Sequence, residues 1–115
     1  MREYLTAIRA RIEAATEGPW KAEFSGGMGN CVIPHDARST REAVCVTRPY
    51  RALFDAEFIA HARTDLPALL AAVEAVLALH EPLKNATSAC FPRPLCGCGC
   101  AHPCRTRTAI EEALG

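Results

Sequence analysis

The sequence has no excess of charge of either sign and no long apolar run. Its 13 basic and 13 acidic residues cancel over 115 positions, so no global field attracts the chain to nucleic acid or to an anionic membrane. The most apolar stretch, residues 66–79, contains Glu74 and is shorter than the roughly 18 residues needed to span a bilayer. The first residues lack the apolar centre of a secretory signal. We therefore expect a cytoplasmic protein without a membrane span.

Several catalytic signatures are missing as well. The glycines near position 27 precede no Gly-Lys-Ser/Thr and form no dinucleotide fingerprint, so they favour a hairpin turn. The metalloprotease signature His-Glu-x-x-His does not occur. A zinc deaminase would carry His-x-Glu and then Pro-Cys-x-x-Cys, whereas Glu81 directly follows His80 and Arg105 directly follows Cys104. These departures favour a protein that is not an enzyme.

The residues that are present predict one small α+β domain over residues 1–115. Hydrophobic residues make up 50% of the chain and charged residues 23%, which is ordinary for a globular protein. We expect a helix–sheet–helix core in residues 1–80, and a cysteine-rich metal-binding loop with a terminal helix in residues 81–115. A chain of this length buries only a modest core, so additional stabilisation is expected.

Local patterns predict the elements of this fold. Apolar residues at helical spacing indicate an amphipathic first helix, which the Gly18-Pro19 pair ends. Three short β-prone runs then predict a small antiparallel sheet. A helical pair follows, because Asp55 is a suitable N-cap for residues 56–63, and Thr64 and Asp65 are suitable caps for a helix that continues to about residue 80. Thr106 is the predicted N-cap of a last helix over residues 107–114.

The second helix of the predicted pair carries an apolar stripe with a histidine at its end. At 100° per residue, His80 falls at the centre of the stripe, so its ring is expected to face the core and to require a partner. The stripe has six members: Leu66, Leu69, Leu70, Val73, Val76 and Leu77.

Seven cysteines are the chemically informative feature of the chain. In a reducing cytoplasm cysteines remain thiols or bind metal, and an odd number fits a disulfide framework poorly. Cys31 and Cys45 flank β-prone runs and are predicted to be small buried residues. The other five lie between Cys90 and Cys104, where glycines after Cys96 and Cys98 permit tight turns around a metal.

We predict a closed Cys3His zinc site formed by His80, Cys96, Cys98 and Cys104. Cys104 precedes a helix whose N-terminal dipole favours a thiolate. The histidine favours zinc, although an iron–sulfur cluster is the alternative that the spacing leaves open. The spacing leaves other ligands open: Cys90, Cys100 and His102.

Three segments resemble a group of small proteins of unknown function encoded by actinobacteria and their phages, with distant similarity to early-region proteins of lambda-like phages. The segments are residues 13–20, residues 55–70, and a cysteine run that ends at Pro103-Cys104-Arg105-Thr106 and leads into a terminal helix. They lie at both ends and in the middle of the chain. The resemblance implies an accessory protein of a phage or mobile element, located in the host cytoplasm, and implies no activity.

The cysteine run departs from the pattern of that group, which is more often Cys-x2-Cys-x5-Cys-Pro-Thr. Cys98 and Cys104 keep the x5 spacing, but Leu95 stands where the first cysteine would be and Arg105 replaces the proline. Three cysteines can take the place of the missing one: Cys96, which is nearest, Cys90 and Cys100.

Three functions fit these observations. The first is a non-enzymatic interaction module, stabilised by zinc, whose partner is a host or phage protein. The second is a nucleic-acid-binding zinc protein that uses Arg93, Arg105 and Arg107 as phosphate contacts. The third is a thiol redox or metal-handling protein acting through Cys98 and Cys100.

Overall fold

The computed structural model describes residues 1–25, 29–48, 52–83 and 94–115 and shows an α+β fold. It contains the predicted N-terminal helix, antiparallel sheet and C-terminal helix. In chain order the elements are α1 (Arg2–Ala14), β1 (Trp20–Ser25), β2 (Gly29–Pro34), a 3-10 turn (Thr40–Glu42), β3 (Cys45–Val46), α2 (Ala52–Leu79) and α3 (Arg105–Leu114). No helix in these ranges is long and apolar enough to cross a membrane.

The chain divides into two compact units. One unit is Thr6–Leu69, and the other combines Met1–Leu5 with Leu70–Gly115. The first unit contains the sheet and the first part of α2, and the second contains the cysteine-rich segment. The single domain expected from chain length stays a prediction.

The sheet in the first unit is a three-stranded antiparallel meander. Its order is β1-β2-β3, and Trp20 pairs with Pro34 at one end of the β1–β2 hairpin while Ser25 pairs with Gly29 at the other. The middle strand is the most buried, since Cys31 and Val32 have no exposed surface. Burial also raises the pKa of the Cys31 thiol, so it remains protonated to a higher pH than an exposed cysteine.

The core of this unit forms where the sheet meets one face of α2. Val32 packs with two small residues of the helix, Ala56 and Ala60, and partly buried side chains surround the three. Small helical residues allow the helix axis to approach the sheet closely. The surrounding side chains are Trp20, Ala22, Cys45 and Ile59.

The predicted helical pair is one continuous helix. Thr64 and Asp65, predicted to begin a second helix, lie in the interior of α2, as does Pro67. Proline removes one main-chain hydrogen bond within the helix. Thr and Asp in a helix interior cost only about half a kcal/mol each relative to good helix formers, whereas a second helix needs a new nucleus. The helix therefore continues through the local capping signals.

The predicted apolar stripe of α2 is only partly buried, which corrects the expectation. Leu70 and Leu77 are each 7% exposed, but Leu69 is 64%, Leu66 is 46% and Val76 is 37% exposed. Apolar residues cover a wide arc of this helix, so periodicity alone does not determine which part of the arc is buried. The predicted stripe included side chains that remain in contact with solvent.

One arginine fixes the end of α1 in the first unit. The Arg63 Nε donates to the Thr16 carbonyl at 3.0 Å, and its Nη2 donates to the Ile12 carbonyl at 3.4 Å. These carbonyls belong to the last turn of α1 and the residues beyond it, which lack donors from the helix itself. The guanidinium also lies 5.8 Å from the centre of the Trp20 ring, within cation–π range.

We expect Arg63→Ala to lower the free energy of unfolding by about 1–3 kcal/mol, because it removes two charge-assisted hydrogen bonds and the ring contact. Chemical denaturation followed by circular dichroism measures the change. His61→Ala is the control, since His61 is exposed and its ion-pair partner Glu57 is likewise exposed, at 3.5 Å. An Arg63→Ala loss as small as that of the control, about 0.5 kcal/mol or less, contradicts this role.

Candidate metal centre

The first predicted ligand lies just past the end of α2. His80 follows Leu79, the last residue of the helix, and its N–H donates to the Leu77 carbonyl at 3.0 Å. This tight final turn keeps the His80 ring half-buried. The end of the helix thus holds the imidazole in a defined position in the second unit.

The next two predicted ligands lie on a compact turn. The Cys96 N–H donates to the Cys100 carbonyl at 2.7 Å, and the Gly99 N–H donates to the Cys96 carbonyl at 2.8 Å. Gly99 has a φ of 87°, in the left-handed region that favours glycine. The turn leaves Cys96 fully buried and Cys98 exposed.

Main-chain contacts attach this turn to the segment that follows α2. The Gly97 N–H donates to the Glu81 carbonyl at 3.0 Å, and the Leu83 N–H donates to the Leu95 carbonyl at 2.7 Å. A Cβ at Gly97 would lie 2.5 Å from the Leu79 carbonyl oxygen, which is closer than real Cβ contacts. Gly97 therefore permits an approach between two backbones that no other residue allows.

Four side-chain donors converge at this point: His80, Cys96, Cys98 and Cys104. One ligand atom from each lies within 4.8 Å of all the others. The His80 Nδ1 is 3.1 Å from the Cys104 Sγ and 3.5 Å from the Cys96 Sγ. Tetrahedral zinc with ordinary bond lengths separates nitrogen from sulfur by about 3.6 Å and sulfur from sulfur by about 3.8 Å. Shifts of well under 1 Å in most of the donors would bring them to these separations.

The thiols of the cluster have unequal acidity. Burial raises the pKa of Cys96 to about 11. The main-chain N–H of Cys100 stabilises the Cys98 thiolate, and this contact, with that of the Cys96 thiol, lowers the pKa of Cys98 to about 7. A cation at the centre would stabilise all the thiolates, including the buried one, because metal ligation deprotonates thiols.

Cys104 connects the cluster to the last helix. It is the N-cap of α3, and the nearby Arg107 main-chain N–H lowers the pKa of its thiol. The sequence predicts Thr106 as this cap. The helix begins at Arg105, however, so Thr106 lies inside the helix and not at its cap. A cysteine is a weak cap on intrinsic preference, so its position follows from the packing of the buried sulfur rather than from capping propensity.

A half-buried arginine with two partly exposed carboxylate partners holds α3 beside the cluster. Arg107 is 12% exposed and lies 3.3 Å from a Glu81 carboxylate oxygen and 3.2 Å from a Glu111 carboxylate oxygen. Arg2 reaches the second oxygen of Glu81 at 3.7 Å. No sequence pattern predicts the Arg107–Glu81 pair, because residues 26 positions apart become partners only in the folded chain.

The remaining predicted residues have different surroundings. Cys100 is exposed and lies outside the group of four, and His102 has a buried Nδ1 without a hydrogen-bond partner in the described ranges. Cys90 and Arg93 lie outside the described residues. Arg105 is exposed, whereas Arg107 is neutralised by the two carboxylates, which disfavours a phosphate-binding role for it.

The geometry defines a Cys3His cluster that could bind a metal ion. It contains the same four residues that the sequence predicted as ligands, and their role as ligands stays a prediction. Comparison of the chain with protein-family models, curated proteins and solved structures finds no match.

We expect Gly97→Ala to weaken the cluster although it changes no donor atom. The added methyl group would press against the Leu79 carbonyl, and such overpacking typically costs about 1–3 kcal/mol. Metal competition with a chromogenic chelator should show weaker binding than in the parent chain, and thermal unfolding should begin at a lower temperature. Unchanged metal affinity and melting temperature would show that the approach at Gly97 is not needed.

Proposed function

We propose that the Cys3His cluster is a structural zinc site. The observation that carries the proposal is the convergence of one imidazole and three sulfur atoms within 4.8 Å. Three thiolates and one imidazole are a common donor set for closed tetrahedral zinc, whereas iron–sulfur clusters are held mainly by four cysteines. Four protein ligands fill the tetrahedron and leave no position for a substrate. The donor set therefore supports a stabilising role for the metal.

The positions of the ligands indicate what the zinc would stabilise. His80 follows α2, Cys96 and Cys98 lie on the turn, and Cys104 precedes α3. Binding of zinc would connect these segments, in which the described residues bury few apolar side chains. In small metal-binding domains the binding free energy contributes directly to folding.

We further propose that the zinc-stabilised chain is a non-enzymatic interaction module of a phage or mobile element, and that it acts in the host cytoplasm on a host or phage protein. The accessory role rests on the sequence resemblance. The interaction role is supported by a donor set with no open metal position and by the lack of a catalytic signature in the sequence.

Metal analysis tests the zinc site. We expect the parent chain, purified without chelator, to contain about one zinc per chain by inductively coupled plasma mass spectrometry. His80→Ala and Cys104→Ser should each lose most of the metal, because removing one ligand opens the tetrahedron. Treating the parent chain with a chelator should lower its melting temperature, since zinc binding contributes to folding.

Matched controls separate ligand loss from general damage. Cys45→Ser and His61→Ala change the same residue types outside the cluster and should keep a full equivalent of zinc. Full zinc in both His80→Ala and Cys104→Ser would exclude this ligand set. Iron instead of zinc in the parent chain would keep the cluster but overturn the proposed metal.

Affinity capture tests the interaction role. The zinc-loaded, tagged chain should retain a defined host or phage protein from a lysate, and the zinc-free chain should lose it because the second unit is no longer held together. Quantitative mass spectrometry compares the two samples. Capture that is equal with and without zinc, or retention of no protein above a tag-only control, contradicts a zinc-dependent interaction module.

A further inference from the structure

The first unit carries an apolar face on α2 that the chain itself leaves uncovered. We call the four side chains Phe54, Phe58, Leu66 and Leu69 the α2 face. Their exposed fractions are 69%, 76%, 46% and 64%. A buried aromatic side chain covers roughly 150–250 Å², so the four together expose on the order of 450 Å² of apolar surface. The largest apolar patch on a typical monomer is about 300–600 Å² and is often functional, so the α2 face is a candidate interaction surface.

An apolar groove adjoins the α2 face. It has a volume of about 250 Å³, and Phe58 and Leu66 belong to both features. Ala62 lies between them on the helix, and Ile12 and Ala15 of the α1 side line the opposite wall. A groove between two helices with a small residue at its centre is suited to receive another helix.

The order of side chains along α2 is nearly symmetric about Ala62. Phe58 and Leu66 are four residues before and after it, while Phe54 and Leu69 are eight before and seven after. Residues at i±4 form a ridge on a helix, and two such ridges pack when the residue at the crossing is small. A two-fold axis through Ala62 would therefore place Phe58 of each copy against Leu66 of the other.

The charged residues near the α2 face and its apolar area both fit a two-fold, antiparallel pair of α2 helices. In an antiparallel arrangement about Ala62, Asp65 of one copy falls opposite Ile59 of the other, and Ile59 lines the groove that Arg11 also lines. Asp65 would thus lie near a groove whose lining includes two basic side chains, Arg11 and Arg63, and no acidic one. Standard interfaces bury about 800 Å² per partner, and the apolar α2 face supplies more than half of that before the flanking polar residues are counted.

We propose that the α2 face is a dimer interface and that its occupant is the α2 helix of a second copy of this chain, packed antiparallel with the two helices crossing at Ala62. The contact lies entirely within the first unit and does not depend on the zinc site. Both copies bury the same face, as a two-fold interface requires.

Sedimentation of the full, metal-loaded chain tests the proposal. We expect a dimer at micromolar concentration for the parent chain. Phe58→Asp should raise the dissociation constant at least tenfold, because it places two charges in the apolar contact. Phe24→Asp is the matched control, since Phe24 is 68% exposed on β1 and lies outside the α2 face. It should remain dimeric.

Circular dichroism should show that both variants stay folded, since each changes an exposed side chain. A monomeric parent chain at about 100 μM, or equal dissociation constants for the parent and Phe58→Asp, overturns the proposal.

The antiparallel register has a separate test. A photoreactive phenylalanine analogue at position 58, in a mixture of isotopically light and heavy chains, should cross-link to the region of Leu66 in the other copy. The same analogue at position 24 should give no link between copies. Cross-links between the two positions 58 would indicate parallel helices and overturn the antiparallel arrangement.

Discussion

The close approach of the Cys96–Cys100 turn to the end of α2 is the constraint on which the second unit depends. Gly97 meets the Leu79 carbonyl where a Cβ has no space, and its N–H bonds to Glu81. This approach brings the buried Cys96 sulfur to His80, so the cluster forms without a large apolar core beneath it. Among the residues of this unit that the structure describes, few apolar side chains are buried, and a bound cation would compensate for part of that deficit.

The residues of the cluster were predictable because their chemistry is local. Helical periodicity gave the direction of His80 from the residues before it, and the glycines after Cys96 and Cys98 indicated tight turns. The folded turn distinguishes Cys98 from Cys100: Cys98 belongs to the group of four donors, whereas the Cys100 thiol lies beside Cys98 and outside that group. The strands were equally predictable from the sequence, because β-prone runs separated by turn residues are short-range signals.

What the sequence did not predict depends on contacts between distant residues. Thr64 and Asp65 have a local preference for a helix cap, yet α2 continues through them. Extending an existing helix costs less free energy than nucleating a new one. The buried side of α2 is set by Ala56 and Ala60, whose small size matters only once the sheet lies against them. Likewise, the sequence predicts Arg107 to be a surface cation, because its partner Glu81 lies beside it only in the folded chain.

The edges of the sheet have a consequence for how copies of this chain meet. β1 and β3 are the edge strands; β3 is only two residues long, and β1 carries the charged side chains of Lys21 and Glu23, 3.7 Å apart. Short or charged edges discourage the addition of strands from other molecules, which is the usual route to open-ended aggregation. The sheet edges therefore disfavour fibre-like growth. The proposed association through the α2 face instead ends at two copies, because one partner covers the whole face.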